Sequence, residues 1–230
     1  METERTELYN RWVDKVCRYI EEVGPRINCT SCAFQSKPVL DKSPEVVFLG
    51  YNAHEPWGYA GVNRERFYEG NPSFYADRDN PAWKIWHKPY EAFKWAGYVE
   101  PMTDGNFVFM NVVYFGSDTI KDFQAKPGCA EVAVQCMDFT AEVIQDIFRP
   151  KCVVCFSIND CFRPLEQRFN FAEVETITPL MVNGDPAQHK VVKGLWKELP
   201  VYGIPHPSGR ISNDDRGAIA LYLKNEMTVL

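Results

Sequence analysis

Near the start of the chain, Leu8, Trp12, Val16, Ile20 and Val23 recur three or four residues apart, while the positions between them are mostly polar. That spacing places the five on one stripe of an amphipathic helix. The pattern predicts an N-terminal helix over residues 1–24, stopped by Gly24-Pro25 and packed by its stripe against the rest of the fold. Four short apolar runs rich in β-branched and aromatic residues follow: "EVVFLGYN" (45–52), "FVFMNVV" (107–113), "CVVCF" (152–156) and "PVYGI" (200–204). Such near-continuous runs suit strands covered on both faces. Between the second and third, Val132, Cys136, Phe139, Val143 and Ile147 share a helical face that Arg149-Pro150 ends. Asn80-Pro81 offers an N-cap and a first-turn proline for a further, aromatic helix. Strands alternating with helices predict an α/β fold, a three-layer α/β/α sandwich around a central four-stranded parallel sheet.

Composition narrows the picture. A chain of 230 residues with 45% hydrophobic and 14% aromatic positions can fill one substantial core. Without repeats or a glycine- and serine-rich linker, a single domain over residues 1–230 is expected. No apolar run approaches the roughly 18 residues of a membrane span. The opening "METERTELYN" has neither the basic nor the apolar region of a signal peptide, so a cytoplasmic, monomeric protein is expected. In that setting eight cysteines read as free thiols or metal ligands rather than as a disulfide framework. A net charge of −6 means that any polyanion partner must be met by local positive charge.

In parallel sheets, ligands gather where strands deliver their C-terminal ends. The first strand runs into "GYNAHEPWG", the second ends near Asn111, and the fourth leads into Pro205-His206-Pro207-Ser208-Gly209-Arg210. Two amides and an imidazole are thereby directed to one rim, the imidazole between two prolines that fix the flanking backbone.

The order and spacing of Gly50-Tyr51-Asn52, Asn111 and His206-Pro207-Ser208 resemble the motifs of the uracil-DNA glycosylase superfamily, over about residues 29–225. The resemblance implies a glycosylase-like fold and excision of uracil, or a related damaged base, from DNA during base excision repair. It implies that Asn52 positions the attacking water, with Glu55 as a substitute base. Asn111 would read the base edge, and His206 would stabilise the departing base. Phe74, in "NPSFYADRDNPAWKIW", would stack on the extruded base, with Phe67 and Tyr75 as rivals; Tyr51 or His54 would wall off the C5 methyl. Ser208 and Arg210 would contact DNA, with Lys190, Lys193, Lys197 and Arg216 nearby in sequence. The chain departs from the pattern in having Ala53 where proline is usual and an amide where many members carry a carboxylate.

Cys29-x-x-Cys32 is similar to the start of the cluster-binding pattern in the iron–sulfur branch, with Cys136 near the fourth position and Cys129 a substitute third. Phe115 stands where that branch has its third cysteine. No cofactor and no metal are therefore expected, the alternative being a 4Fe-4S cluster or zinc held through Cys29, Cys32 and Cys136. Two alternatives stay open. One is a glycosylase-like fold that binds nucleic acid or nucleotide with little or no cleavage. The other is a serine hydrolase built on Ser208 and His206, for which the intervening proline is expected to point the side chains apart and no G-x-S-x-G elbow is present.

Overall fold

The computed structural model describes residues 2–229. Its first helix, α1 (Glu2–Ile27), runs past the predicted stop and contains Pro25. The actual terminator is Asn28, in the left-handed region at φ 51°, whose N–H closes on Gly24 O at 2.7 Å. Gly24 has a packing reason instead: a Cβ there would lie 2.2 Å from the Tyr59 ring.

The four expected strands form as β1 (Val46–Gly50), β2 (Phe107–Asn111), β3 (Cys152–Phe156) and β6 (Leu199–Ile204). The sheet is larger than the four-stranded one predicted. Its six strands, in the order β2-β1-β3-β6-β5-β4, include β4 (Ala172–Ile177) and β5 (Val191–Trp196). Pairings among β2, β1, β3 and β6 are parallel, whereas β5 and β4 add antiparallel, so the sheet is mixed. The two extra strands escaped the apolar-run criterion because β5 carries Lys193 and Gly194, and β4 is exposed along nearly its whole length.

Period-two alternation assigns side chains to two cores. Val47, Leu49, Val108, Met110, Val153 and Cys155 pack with α1, with α6 (Cys129–Glu142) and with the π-helical turn Val143–Phe148 that continues it. Val46, Phe48, Phe107, Phe109, Val154 and Phe156 pack with Trp86 and Phe93 of α4 (Lys84–Trp95) and with Ile219 and Leu223 of α8 (Asn213–Met227). Helices therefore cover both faces of an α/β sheet. Helix α4 begins three residues after the expected Pro81, because Asn80 caps a separate turn: its Oδ1 accepts from Ala82 N at 2.9 Å. Short helices α2 (Arg66–Glu69), α3 (Pro72–Asp77), α5 (Ile120–Gln124) and α7 (Arg163–Phe169) fill the connections. Among the described residues, no helix is long and apolar enough to cross a membrane.

The two sheet edges end differently. Residues 31–36 lie along the outer side of β2, with Gln35 N donating to Phe109 O and Asn111 N to Ala33 O, each at 2.8 Å. On the far edge, β4 breaks register between Ala172 and Glu175 around Glu173, which sits at φ 51°.

Candidate functional site

The rim at the C-terminal ends of β2, β1, β3 and β6 collects Asn111, Asn52, Ser157 and His206, one from each strand or the loop after it. Neighbouring strands are about 4.8 Å apart, so Asn111 and His206 stand roughly 14 Å apart at the backbone.

Asn111 is 2% exposed, and its Cα pairs with Gly50 across the β1–β2 ladder. Its Nδ2 donates to Cys32 O at 3.0 Å, which fixes the orientation of the amide, since a carbonyl can only accept. The carboxamide oxygen lies over Gly50, 3.1 Å from where a Cβ would stand. Among the described residues this oxygen accepts no hydrogen bond, leaving an acceptor free at the rim, while Nδ2 also contacts the Cys32 sulfur at 3.9 Å.

Asn52 is fixed in the same manner. Its Nδ2 donates to Phe115 O at 3.2 Å and to Ser117 Oγ at 2.7 Å, while the Ser117 hydroxyl donates onward to Thr119 O at 2.6 Å. Both amide hydrogens are committed and the oxygen remains as an acceptor. Glu55, the substitute base, is engaged elsewhere: Arg66 donates to it at 2.8 Å and Asn71 at 3.0 Å. His54 is exposed, its ring against Asp118 O at 2.9 Å. Tyr51 turns toward Phe123, with ring centroids 6.4 Å apart, and burial pushes its phenol up to about 12.

His206 occupies a tight turn closed by Gly209 N on His206 O at 2.8 Å. The expectation that Pro207 separates Ser208 from His206 is incorrect. Ser208 Oγ lies 2.8 Å from His206 Nδ1, and Ser208 N donates to the same nitrogen at 3.3 Å. The turn folds residue i+2 back over residue i, so both donors of Ser208 converge on one ring nitrogen. Accepting from a backbone N–H requires Nδ1 to be unprotonated, which puts the imidazole hydrogen on Nε2. Surrounding protein lowers the His206 pKa through desolvation, and the Asp160 carboxylate partly opposes this.

Asp160 and Ser157 are site residues that the sequence reading missed. Ser157, at the end of β3, is 5% exposed and adopts φ 150°, a conformation that costs a non-glycine residue on the order of 1–3 kcal/mol. Its hydroxyl donates to Asp160 Oδ2 at 2.8 Å and accepts from Asp160 N at 3.0 Å, so the strain anchors a carboxylate beside His206. The available signal was Ser-x-x-Asp directly after an apolar strand, a capping pattern. Trp57, 69% exposed on the loop after Asn52, was likewise overlooked.

Several expected roles meet a different geometry. Phe74 is fully buried in an aromatic cluster, 5.0 Å from Trp86 and 5.9 Å from Phe109 by ring centroids, so neither face is open to a base. Phe67 lies in the opposite core, and the Tyr75 hydroxyl accepts from Lys37 N at 2.6 Å. Arg210 is exposed; of the cations near it in sequence, Arg216 reaches its turn, whereas Lys193 and Lys197 do not. Lys193 pairs with Glu226 at 2.5 Å, Lys197 sits in the β5–β6 turn at the opposite sheet end, and Arg216 donates to Gly209 O at 3.3 Å.

Cys29 and Cys32 point to different local carbonyls, and burial raises Cys136 to about 12. Among the described residues, no three His, Cys, Asp or Glu side chains are grouped to hold a metal ion. Comparison of the chain with protein-family models and with curated proteins returned no match.

Proposed function

We propose that this chain is a uracil-DNA glycosylase-type hydrolase in a fold of that kind, binding uracil-containing DNA and cleaving the bond between flipped uracil and deoxyribose. The observation that carries this reading is the state of Asn111: a buried amide oriented by Cys32, its oxygen left as an acceptor for a ligand while Nδ2 meets Cys32 O and, at 3.9 Å, the Cys32 sulfur. Uracil offers N3–H as a donor to that oxygen, with O4 beside it as an acceptor for an amide N–H that would exchange its weak sulfur contact. Cytosine presents the reverse and is rejected. As the bond breaks, N1 keeps the electron pair and negative charge spreads to O2. An Nε2–H fixed on His206 meets that charge, an effect of about 3 kcal/mol for one preorganised donor. Water forms the new bond to C1′ while hydrogen-bonded to the free oxygen of Asn52, and its proton passes to bulk solvent, which also protonates the departing uracil anion. An amide orients water but does not take its proton at neutral pH, so turnover is slow relative to a carboxylate enzyme. Arg210, exposed beside this turn, supplies positive charge for a phosphate.

A second reading, binding without cleavage, draws support from the amide at Asn52 and the net charge of −6. The hydrolase alternative gains the Ser208–His206 contact. It lacks an orienting partner, because no side chain among the described residues hydrogen-bonds Nε2 of His206. Release of uracil from single-stranded, U·G and U·A oligonucleotides separates these readings. The wild type is expected to release uracil, His206→Ala to lose about 10²–10³ in rate, and folded Asn111→Ala to lose nearly all activity. Binding without release would favour the second reading, and labelling of Ser208 by a phosphonate probe would favour the hydrolase.

A further inference from the structure

The turn that carries His206 also closes a cleft on the side of the sheet covered by α4 and α8. Where these two helices pack together beside the end of β6, the cleft holds about 370 Å³ of empty space, counted out to its open mouth. Ten of its twelve lining residues are apolar, among them Phe93, Ile219 and Leu223. Pro205 and Pro207, the neighbours of His206, are part of the wall. The two remaining residues, Lys88 and Arg216, are both basic, and no acidic residue is among the lining.

Arg216 is incompletely satisfied there. Its Nη1 donates to Asn213 Oδ1 and its Nη2 to Gly209 O, each at 3.3 Å, beyond the usual N–H···O range. Its Nε is buried and, among the described residues, donates to nothing. The adjacent carboxylate is taken: Asp215, in the first turn of α8, accepts from Gln188 N at 3.0 Å and contacts His189 Nδ1 at 2.5 Å. Desolvation accordingly lowers the Arg216 pKa. A buried N–H with no acceptor is rare, because it has given up its bond to water for nothing, and this one belongs to a cation in an apolar wall.

We infer that the cleft between α4 and α8 binds a small carboxylate with an unbranched apolar tail, the carboxylate on Arg216 and the tail along Phe93, Ile219 and Leu223. The anion follows from two basic residues, no acid and an orphaned guanidinium N–H, since a carboxylate accepts from a guanidinium through both of its oxygens. The tail follows from the walls. Inorganic phosphate would surrender its hydration to apolar side chains, and a neutral apolar molecule would leave Nε without an acceptor. The enclosed part of the cleft is narrow, which suits a chain rather than a fused ring. Occupancy would be felt at His206, because the walls include Pro205 and Pro207 and because Arg216 also holds Gly209 O of that turn. Binding here needs no activity at the rim of Asn111 and His206, so it stands apart from the glycosylase reading.

Titration of the full chain with octanoate, followed by calorimetry and by NMR of the histidine rings, tests the site. A single site is expected, binding octanoate about tenfold or more tightly than octanol. Butanoate should also bind about tenfold or more weakly than octanoate, since each buried methylene contributes about a fourfold gain. Arg216→Met should weaken octanoate by about tenfold and erase its advantage over octanol. Ala92→Phe, which narrows the cleft from its α4 wall while keeping the cation, should weaken octanoate and octanol alike. The His206 signal should move on binding while that of His54, on a different loop, stays in place. Equal binding of octanol and octanoate, equally tight binding of inorganic phosphate, unchanged affinity in either variant, or no octanoate binding at about 1 mM would each overturn the site. A stationary His206 signal at saturation would overturn its link to the turn.

Discussion

The carboxamide oxygen of Asn111 occupies the space above Gly50 that any side chain would need, 3.1 Å from the position of a Cβ. A methyl group on residue 50 would require this amide to shift by a few tenths of an ångström. Gly50→Ala should push the amide off its fixed orientation and lower uracil excision at least tenfold, with little change in melting temperature. Wild-type activity in a folded Gly50→Ala protein would show that the placement of this amide is immaterial.

His206 supplies a pH test. Desolvation sets its folded pKa below 6.5, so the unfolded chain takes up this proton first as the solution is acidified. Stability contributed by the neutral ring is complete above pH 6.5 and is lost as pH falls toward the folded pKa. Protonation would also place a hydrogen on Nδ1, facing the Ser208 N–H. Excision should accordingly hold constant through pH 6.5 and fall only as the pH approaches the lower folded pKa. Removing the opposing charge with Asp160→Asn should lower the imidazole pKa further, as read by NMR titration. A measured value above 6.5 would contradict this.

Phe74→Ala distinguishes core from stacking platform. Loss of a ring enclosed by Trp83, Trp86, Phe107 and Phe109 should cost about 3–5 kcal/mol, visible as a fall of about 10 °C in Tm. Phe74→Leu should retain most of both stability and activity. Selective loss of excision with an unchanged Tm would return Phe74 to the base.

Asn52→Asp would seem to provide the missing base, but the surroundings oppose it. A carboxylate would set one oxygen against Phe115 O, where an amide N–H now donates at 3.2 Å. Acceptor against acceptor costs on the order of 1–3 kcal/mol, so single-turnover excision should fall roughly tenfold. Faster excision by the variant would mean that proton abstraction limits the wild type and that this loop yields easily.

The four parallel strands were legible because each is buried on both faces and so appears as an unbroken apolar run. Strand β4 left no such trace, since nearly all its residues face water and its antiparallel pairing to β5 gives it shape. Of the rim residues, Asn52, Asn111 and His206 announced themselves as polar groups just after apolar runs. Phe74 misled, because an aromatic residue in a helix looks the same in sequence whether its ring meets a ligand or five other rings. Ser157 and Asp160 were hidden in a different way: their roles follow from a backbone conformation at residue 157 that serine seldom adopts. The pairing of Asp215 with residues 188 and 189 spans too much sequence for any local pattern to reveal.

The differing treatment of the sheet edges bears on self-association. Along β2, residues 31–36 already occupy the outward backbone groups, so an incoming strand finds them taken. Along β4, the outward groups are exposed, but the kink at Glu173 interrupts the straight ladder that a partner would need, and Glu175 adds a second like charge for any identical strand laid alongside. Growth of the sheet from one molecule to the next, the step that seeds fibrils, is thus obstructed at one border by occupancy and at the other by shape and charge.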